Sequence, residues 1–398
     1  MKTKSNLADV YIHAANGICA AGSNLTEISD FVSNAGKHSF TETDQFTQGQ
    51  ALPVGLVNQQ LPSLEVLENK YQSRTNQLLL ASLEPLNDIL AELRQNIPNH
   101  RIAIVLGTST SGISEGENDI GQHAITEQWP ERFDYERQTM ANPAEALADM
   151  LDINGPCFVI STACSSGAKA LASAKRLLQT DMCDLAIAGG VDSLCKLTVR
   201  GFSALEAVSD KPCIPFSENR TGINIGEASA LFLLSRNESK VKLSGVGESS
   251  DAHHFSAPHP EGNGAKASMK TALAEAQIKG CDIGYINLHG TATEQNDRME
   301  SKAVAELCGK DVLCSSTKSY FGHTLGAAGA IEAALIWQCL AVPDASLPVH
   351  LWDNSPDPEL ETINLVTKNT KNKPISSAIS NSFAFGGNNI SLLMERCC

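Results

Sequence analysis

Two segments of this chain share one pattern, and that pattern restricts the possible folds more than any other feature. "FVISTACSSGAKALASAKRLLQ" and "VLCSSTKSYFGHTLGAAGAIEAALIWQ" each run from a β-rich strand through a tight turn into a helix of small residues. Setting Cys164 against His323 also superposes Gly167 on Gly326 and Gln179 on Gln338. Either the chain is built of two related halves, or two ordinary strand–turn–helix units look alike; periodicity leaves both open. Related halves would divide near residue 240, where polar "SRNESK" separates "ALFLL" from the strand-like "VKLSGVGES", giving segments 1–240 and 241–398.

Further runs of strand type recur with helical segments between them, among them "RIAIVLGTSTSG", "CDLAIAGGVD", "EASALFLLS" and "AISNSFAFGG". Near-continuous apolar strands alternating with helices predict an α/β fold whose sheets are covered on both faces. Several runs end in Gly, Ser, Thr, Cys or His, so the chemistry is expected at strand ends. The loops 209–227 and 251–265, rich in Gly, Pro and Asn, are expected to be irregular.

Composition removes several classes of function. No signal-peptide h-region opens the chain and no run approaches the roughly 18 apolar residues of a membrane span, so a cytoplasmic location is the default expectation. A net charge of -15 argues against a nucleic-acid partner. The 12 cysteines are scattered without C-x-x-C pairs, which indicates neither a zinc site nor a disulfide framework, and Cys397-Cys398 reads as a loose tail.

Among the cysteines, Cys164 stands apart. A thiol at a helix N-terminus meets the positive end of the macrodipole and free N–H groups, which favour thiolate and can also hold an oxyanion. A lone cysteine in apolar surroundings is otherwise inert, but Ala163, Ser165, Ser166 and Gly167 leave space beside this sulfur. In "NLHGTATEQNDRMES", His289 closes an apolar strand, and Asp297 and Glu300 follow at i, i+3 on one helix face. In "SSTKSYFGHTLGAAGAIEAAL", Lys318 stands five residues before His323. Taken singly, each of these has a structural explanation.

Together the three elements, in this order, resemble the elongating β-ketoacyl-acyl carrier protein synthases. "PFSENRTGINIGEASA" and "NSFAFGGNN" match the family's other two landmarks, and the resemblance runs from about Val10 to Leu393. It implies the thiolase fold, a duplicated five-layered α-β-α-β-α architecture. It also implies that Cys164 takes the acyl group from a carrier-protein thioester, and that His289 and His323 serve decarboxylation and condensation. Lys318 is then expected to pair with Glu300 and keep the histidines neutral, with Asp297 supporting the same network. Phe385, followed by two glycines, is expected to act as a gate and to offer its N–H, beside that of Cys164, to an oxyanion.

Related families fit less well. Thiolases need a second catalytic cysteine where "SFAFGGNN" has none, and initiating or chalcone-type synthases resemble Cys/His/Asn sites, whereas this chain has His323. A chain-length-factor-like subunit or other non-catalytic binding protein would lack the nucleophile. Asn388 and Ser229 depart from the Thr and Gly usual in the family. These departures point to a specialised branch, and "RTNQLLLASL", "GESSDAHHFSAPHPEGNGA" and "NSFAFGGNN" together resemble the synthases of aryl polyene clusters, with fatty-acid elongation as the alternative. The resemblance further implies an acyl carrier protein as partner, a homodimer or a heterodimer with a chain-length-factor-like homologue, and neither cofactor nor metal. Lys70, Arg74 and Lys211 are candidates for a basic patch facing the acidic carrier.

Overall fold

The computed structural model describes residues 7–343, 345–371 and 374–397. Its strands are β1 (Tyr11–Cys19), a small hairpin of β2 (Thr41–Thr43) and β3 (Leu52–Val54), β4 (Ile102–Gly107), β5 (Cys157–Ile160), β6 (Leu185–Asp192) and β7 (Ala228–Ser235). They continue with β8 (Val241–Ser250), β9 (Tyr285–Asn287), β10 (Leu313–Ser315), β11 (Asn364–Leu365), β12 (Ser377–Phe383) and β13 (Asn388–Arg396).

The strand order settles the question of related halves. The first half runs β5-β4-β6-β7-β1 across the sheet and the second β10-β9-β12-β13-β8, with β11 at the outer edge. Counted by position within each half, both read third, second, fourth, fifth, first. In both, the first three strands of that order are parallel and the last two antiparallel. The halves are joined edge to edge by two residue pairs, Tyr11 with Lys242 and Ile12 with Val241. The chain is duplicated.

Packing explains why the strands are apolar throughout. Helices Ser166–Gln179 and Ala328–Ala341 share one core with the inward faces of both sheet halves. Helices Arg74–Leu83 and Asn142–Leu151 cover the outer face of the first half, and Asn263–Ala276 and Glu294–Cys308 that of the second. This is the five-layered α-β-α-β-α order. Strand β6 is buried at every position because helices lie on both its faces.

The central helices pack closely through small residues, which brings the Cys164 and His323 turns together. A Cβ on Gly167 would lie 2.9 Å from the Ala330 Cβ and 3.0 Å from the Gly326 carbonyl oxygen. The superposable glycines therefore lie where the first helix meets the turn that opens the second. The loop 209–227 is irregular, and the 251–265 segment is irregular only as far as Gly262, because the helix Asn263–Ala276 begins there. One expectation fails: Cys397 is not part of a loose tail, since its N–H donates to the Lys240 carbonyl at 2.8 Å. Cys398 lies outside the described residues.

Candidate active site

The turns that present Cys164 and His323 are set by one backbone feature. Ala163, just before Cys164, has φ +53°, and Gly322, just before His323, has φ +82°. Each left-handed residue turns the chain sharply at the end of its strand–turn segment, so the next side chain projects where the following helix begins. For Ala163 this conformation is costly, and such strain persists where surrounding structure enforces it.

The result is a compact triad. His323 Nε2 lies 2.9 Å from Cys164 Sγ. The His289 and His323 rings are 5.4 Å apart and nearly perpendicular, at 86°. The Leu325 N–H donates to His323 Nδ1 at 3.3 Å, which leaves the ring proton of the neutral form on Nε2, facing the sulfur. The backbone N–H groups of Cys164 and Phe385 both reach the sulfur. All three side chains are at least 96 % buried yet border a cavity of about 480 Å³, shared with Phe202, Arg220, Thr291 and Phe385.

Electrostatics favours neutral imidazoles. Burial, then the Lys318 charge, holds both histidines well below their ordinary range, and for His289 the second imidazole adds to this. For Cys164 the balance differs from the sequence expectation. Burial pushes the thiol up to about 11, against the opposing Lys318 charge and the Phe385 and Cys164 N–H groups. The balance at Cys164 thus favours the neutral thiol.

Lys318 is placed as expected, but its carboxylate partner is not Glu300. The ammonium is ion-paired with Glu332, both groups being 1 % exposed, and donates to the His289 carbonyl at 2.5 Å. Glu332 is the lone charge in the helix Ala328–Ala341, and a single acid in an otherwise apolar helix is the signal that sequence reading passed over. Glu300 instead accepts the N–H groups of His289 at 2.8 Å and Gly290 at 2.7 Å, bracing the backbone of the histidine turn. Asp297 is likewise not on Lys318. It accepts the Phe216 N–H at 2.8 Å and lies 3.8 Å from Arg220, tying the 209–227 loop to the site. Burial raises Asp297 to about 6, and Glu300 and Glu332 to about 7.

The same loop fixes His323, whose N–H donates to the Asn224 carbonyl and whose carbonyl accepts from Gly226. Asp192, also missed, accepts from Thr108, Ser109 and Thr110 and, at 2.6 Å, from the Gly326 N–H just beyond His323. Phe385 rests against Phe202 at 5.4 Å, followed by Gly386 and Gly387, whose φ values are +82° and +75°. Asn388 faces Lys169 at 3.3 Å, and Ser229 bonds Ser82 at 2.7 Å within the core.

Of the residues assigned to a basic patch, Arg74 does not belong there. Its guanidinium forks onto buried Glu227 and donates to the Val57 carbonyl. Lys70 lies over the Tyr71 ring beside Glu68, and Lys211 is exposed on the 209–227 loop.

The sulfur and ring nitrogens of Cys164, His289 and His323 lie within 4.8 Å of one another, a donor set that zinc would accept. The surroundings do not suit a resident metal. His289 Nδ1 has no hydrogen-bond partner among the described residues, where a ligating histidine is normally anchored, and the Lys318 ammonium bonded to the His289 carbonyl opposes a second cation.

Residues 63–240 match the family described as the β-ketoacyl synthase N-terminal domain, and residues 241–350 the β-ketoacyl synthase C-terminal domain. The chain is 36% identical over 316 residues to 3-oxoacyl-[acyl-carrier-protein] synthase 2 of Rhizobium meliloti (strain 1021), covering 74% of this chain and 73% of the relative. It is 31% identical over 342 residues to the synthase of the same name from Staphylococcus aureus (strain COL), covering 81% of each. Among solved structures it resembles the ketosynthase ApeO, in complex with its chain length factor ApeC, from Xenorhabdus doucetiae. That match has a TM-score of 0.92 and 40% identity and covers 100% of both chains.

Proposed function

Because this chain belongs to the β-ketoacyl synthase family and is an acyl-condensing enzyme of the 3-oxoacyl-carrier-protein synthase kind, we propose that Cys164 carries the acyl group while His289 and His323 decarboxylate the extender. The observation that carries this assignment is the meeting of one sulfur and two neutral, perpendicular imidazoles at one cavity.

The chemistry follows from the geometry. Cys164 Sγ adds to the carbonyl of a carrier-bound acyl thioester, and the N–H groups of Cys164 and Phe385 meet the oxyanion. Collapse forms the acyl-cysteine and expels the carrier thiolate, which leaves with the proton the cysteine gives up. No resting thiolate is required, consistent with the raised thiol. A malonyl thioester then occupies the cavity. Its carbon–carboxylate bond breaks, carbon dioxide departs, and the electron pair becomes an enolate whose oxygen accepts from the Nε2–H groups of the two histidines. The enolate carbon attacks the acyl-cysteine carbonyl, and collapse releases a 3-oxoacyl thioester on the carrier and the Cys164 thiolate, which takes up a proton from solvent to regain the thiol.

Lys318 supports this from behind. Its positive charge makes imidazolium costly, and its bond to the His289 carbonyl fixes that turn. The substrates arrive on the carrier's phosphopantetheine arm, and neither step moves electrons to an external acceptor, so the scheme needs no resident cofactor. Phe385, hinged on two glycines and resting on Phe202, is the gate in this reading.

The partner and pathway follow from similarity. The ketosynthase with 40% identity is paired with its chain length factor, which supports a heterodimer with such a homologue for this chain too. The motifs shared with aryl polyene synthases favour that branch over fatty-acid elongation, with the reaction in the cytoplasm. Among the described residues, no helix is long and apolar enough to cross a membrane. The test is intact-mass analysis of the protein and its Cys164→Ala variant with a panel of acyl-carrier proteins. An acyl mass on the wild type alone supports the assignment, and the preferred acyl group identifies the branch.

A further inference from the structure

One buried titratable side chain has no part in the scheme above. His350 is 3 % exposed and sits between the Phe216 and Trp352 rings, each 5.9 Å away. Its two nitrogens are both occupied, and in opposite senses. Nδ1 accepts the Ser316 N–H at 3.1 Å, so Nε2 carries the proton and donates to the Pro215 carbonyl at 3.0 Å. Burial lowers it to about 4, so it remains the neutral imidazole that these two bonds require.

Ser316 leads from there into the site. Its hydroxyl donates to the Gly290 carbonyl at 2.7 Å and accepts the Lys318 N–H at 3.3 Å. Lys318 in turn holds the His289 carbonyl. The residues His289, Gly290, Ser316 and Lys318 thus close a hydrogen-bonded ring, and His350 anchors it to the 209–227 loop at Pro215. The segment that carries His350 clasps that loop a second time, through Asp353 to Ser217 and Asn219 and through Asp357 to Arg220.

We propose that His350 is a positioning residue for decarboxylation: by holding Ser316 against Pro215, it sets the grip of Lys318 on His289. The inference rests on the synthase reading. It concerns the histidine side of the site and leaves the Cys164 elbow and the two N–H groups at the sulfur untouched. The two half-reactions should therefore separate.

The experiment compares wild type, His350→Leu and His350→Asn, prepared with a candidate chain-length-factor partner where the wild type needs one. Acylation of Cys164 is followed by intact mass, and decarboxylation by acetyl-carrier formation from malonyl-carrier protein. His350→Leu strands the Ser316 N–H, and kcat for decarboxylation is expected to fall about tenfold with KM unchanged, while acylation stays within about twofold. His350→Asn offers Oδ1 to the same N–H and should recover most of the loss. Equal slowing of both half-reactions, no slowing, or no recovery with asparagine would overturn the proposal. If the leucine variant does not fold, His350→Gln, which keeps a donor for Pro215 but not the Nδ1-like acceptor, takes its place with the same expected split. A wild type that neither acylates nor decarboxylates refutes the synthase reading, and this inference falls with it.

Discussion

Separating Lys318 from Glu332 tests the buried pair on which the electrostatics of the site depends. Both groups are 1 % exposed, so removing either partner leaves a charge with no solvent to receive it. Breaking such a pair costs about 3–5 kcal/mol. A chain of 398 residues unfolds with an entropy of about 0.8 kcal/mol per kelvin, so Lys318→Met should lower Tm by about 4–6 °C. The lost bond to the His289 carbonyl adds to that. Lys318→Met/Glu332→Met removes both charges and should melt several degrees above the lysine variant, though it still lacks the donor to His289.

The pH dependence has a definite sign. Glu332 already stands raised to about 7 by burial, and losing Lys318 raises it further. A raised carboxyl stabilises the folded state at low pH and loses that contribution as pH climbs through the folded value. The Tm gap between wild type and Lys318→Met should thus widen from pH 5 to pH 8. Differential scanning calorimetry of the two single variants and the double, at both pH values, reads all of this. Additive single-variant losses, with a gap indifferent to pH, would refute the coupling.

The same structure sets three further outcomes. Iodoacetamide capture of Cys164, followed by peptide mass against exposed Cys281 as reference, should climb about tenfold per pH unit between 7 and 9, because the thiol is raised to about 11; a rate already flat at pH 7 would contradict this. Imidazole NMR of His289 and His323 should show both rings neutral from pH 6 to 8, since both are held well below their usual range, and a titration midpoint near 6.5 for either ring would contradict that. Gly167→Ala forces a methyl to within 2.9 Å of Ala330 and should cost about 1–3 kcal/mol in thermal or denaturant unfolding, with slower acylation as the Cys164 helix is pushed from its partner.

The parts of the site legible in the sequence are those whose signal is local. Cys164 and His323 each follow a β-rich run and precede a helix of small residues, and His289 ends an apolar strand, so residue type and position along one segment announce them. The duplication was visible as an echo because the two central helices must both be thin enough to touch. What the sequence concealed depends on which residues face each other across the fold. The spacing of Asp297 and Glu300 places both on one side of a helix but says nothing of what lies opposite. Opposite them are the N–H groups of the His289 turn and of Phe216, and Lys318 turns toward Glu332 on a helix from another layer. Arg74 looks like a surface cation at the start of a helix until the fold brings buried Glu227 to it from 153 residues away. His350, a single histidine in an irregular segment, becomes informative only once Ser316 and Pro215 are seen on its two nitrogens. The Cys164 thiol misled in a different way: its place before a helix argued for a thiolate, and burial outweighs that.

The measurement that bears most directly on the account is a two-stage reaction of the purified protein, alone and with a candidate chain-length-factor partner, beside Cys164→Ala. The protein is charged from an acyl-carrier protein and then given malonyl-carrier protein, with intact mass for the enzyme and product mass for the carrier. The account expects one acyl group on Cys164 of the wild type, then its loss as carbon dioxide is released and a 3-oxoacyl-carrier two carbons longer appears, with neither event in the alanine variant. An unacylated wild type with and without the partner, or an acyl group carried equally by Cys164→Ala, would contradict it.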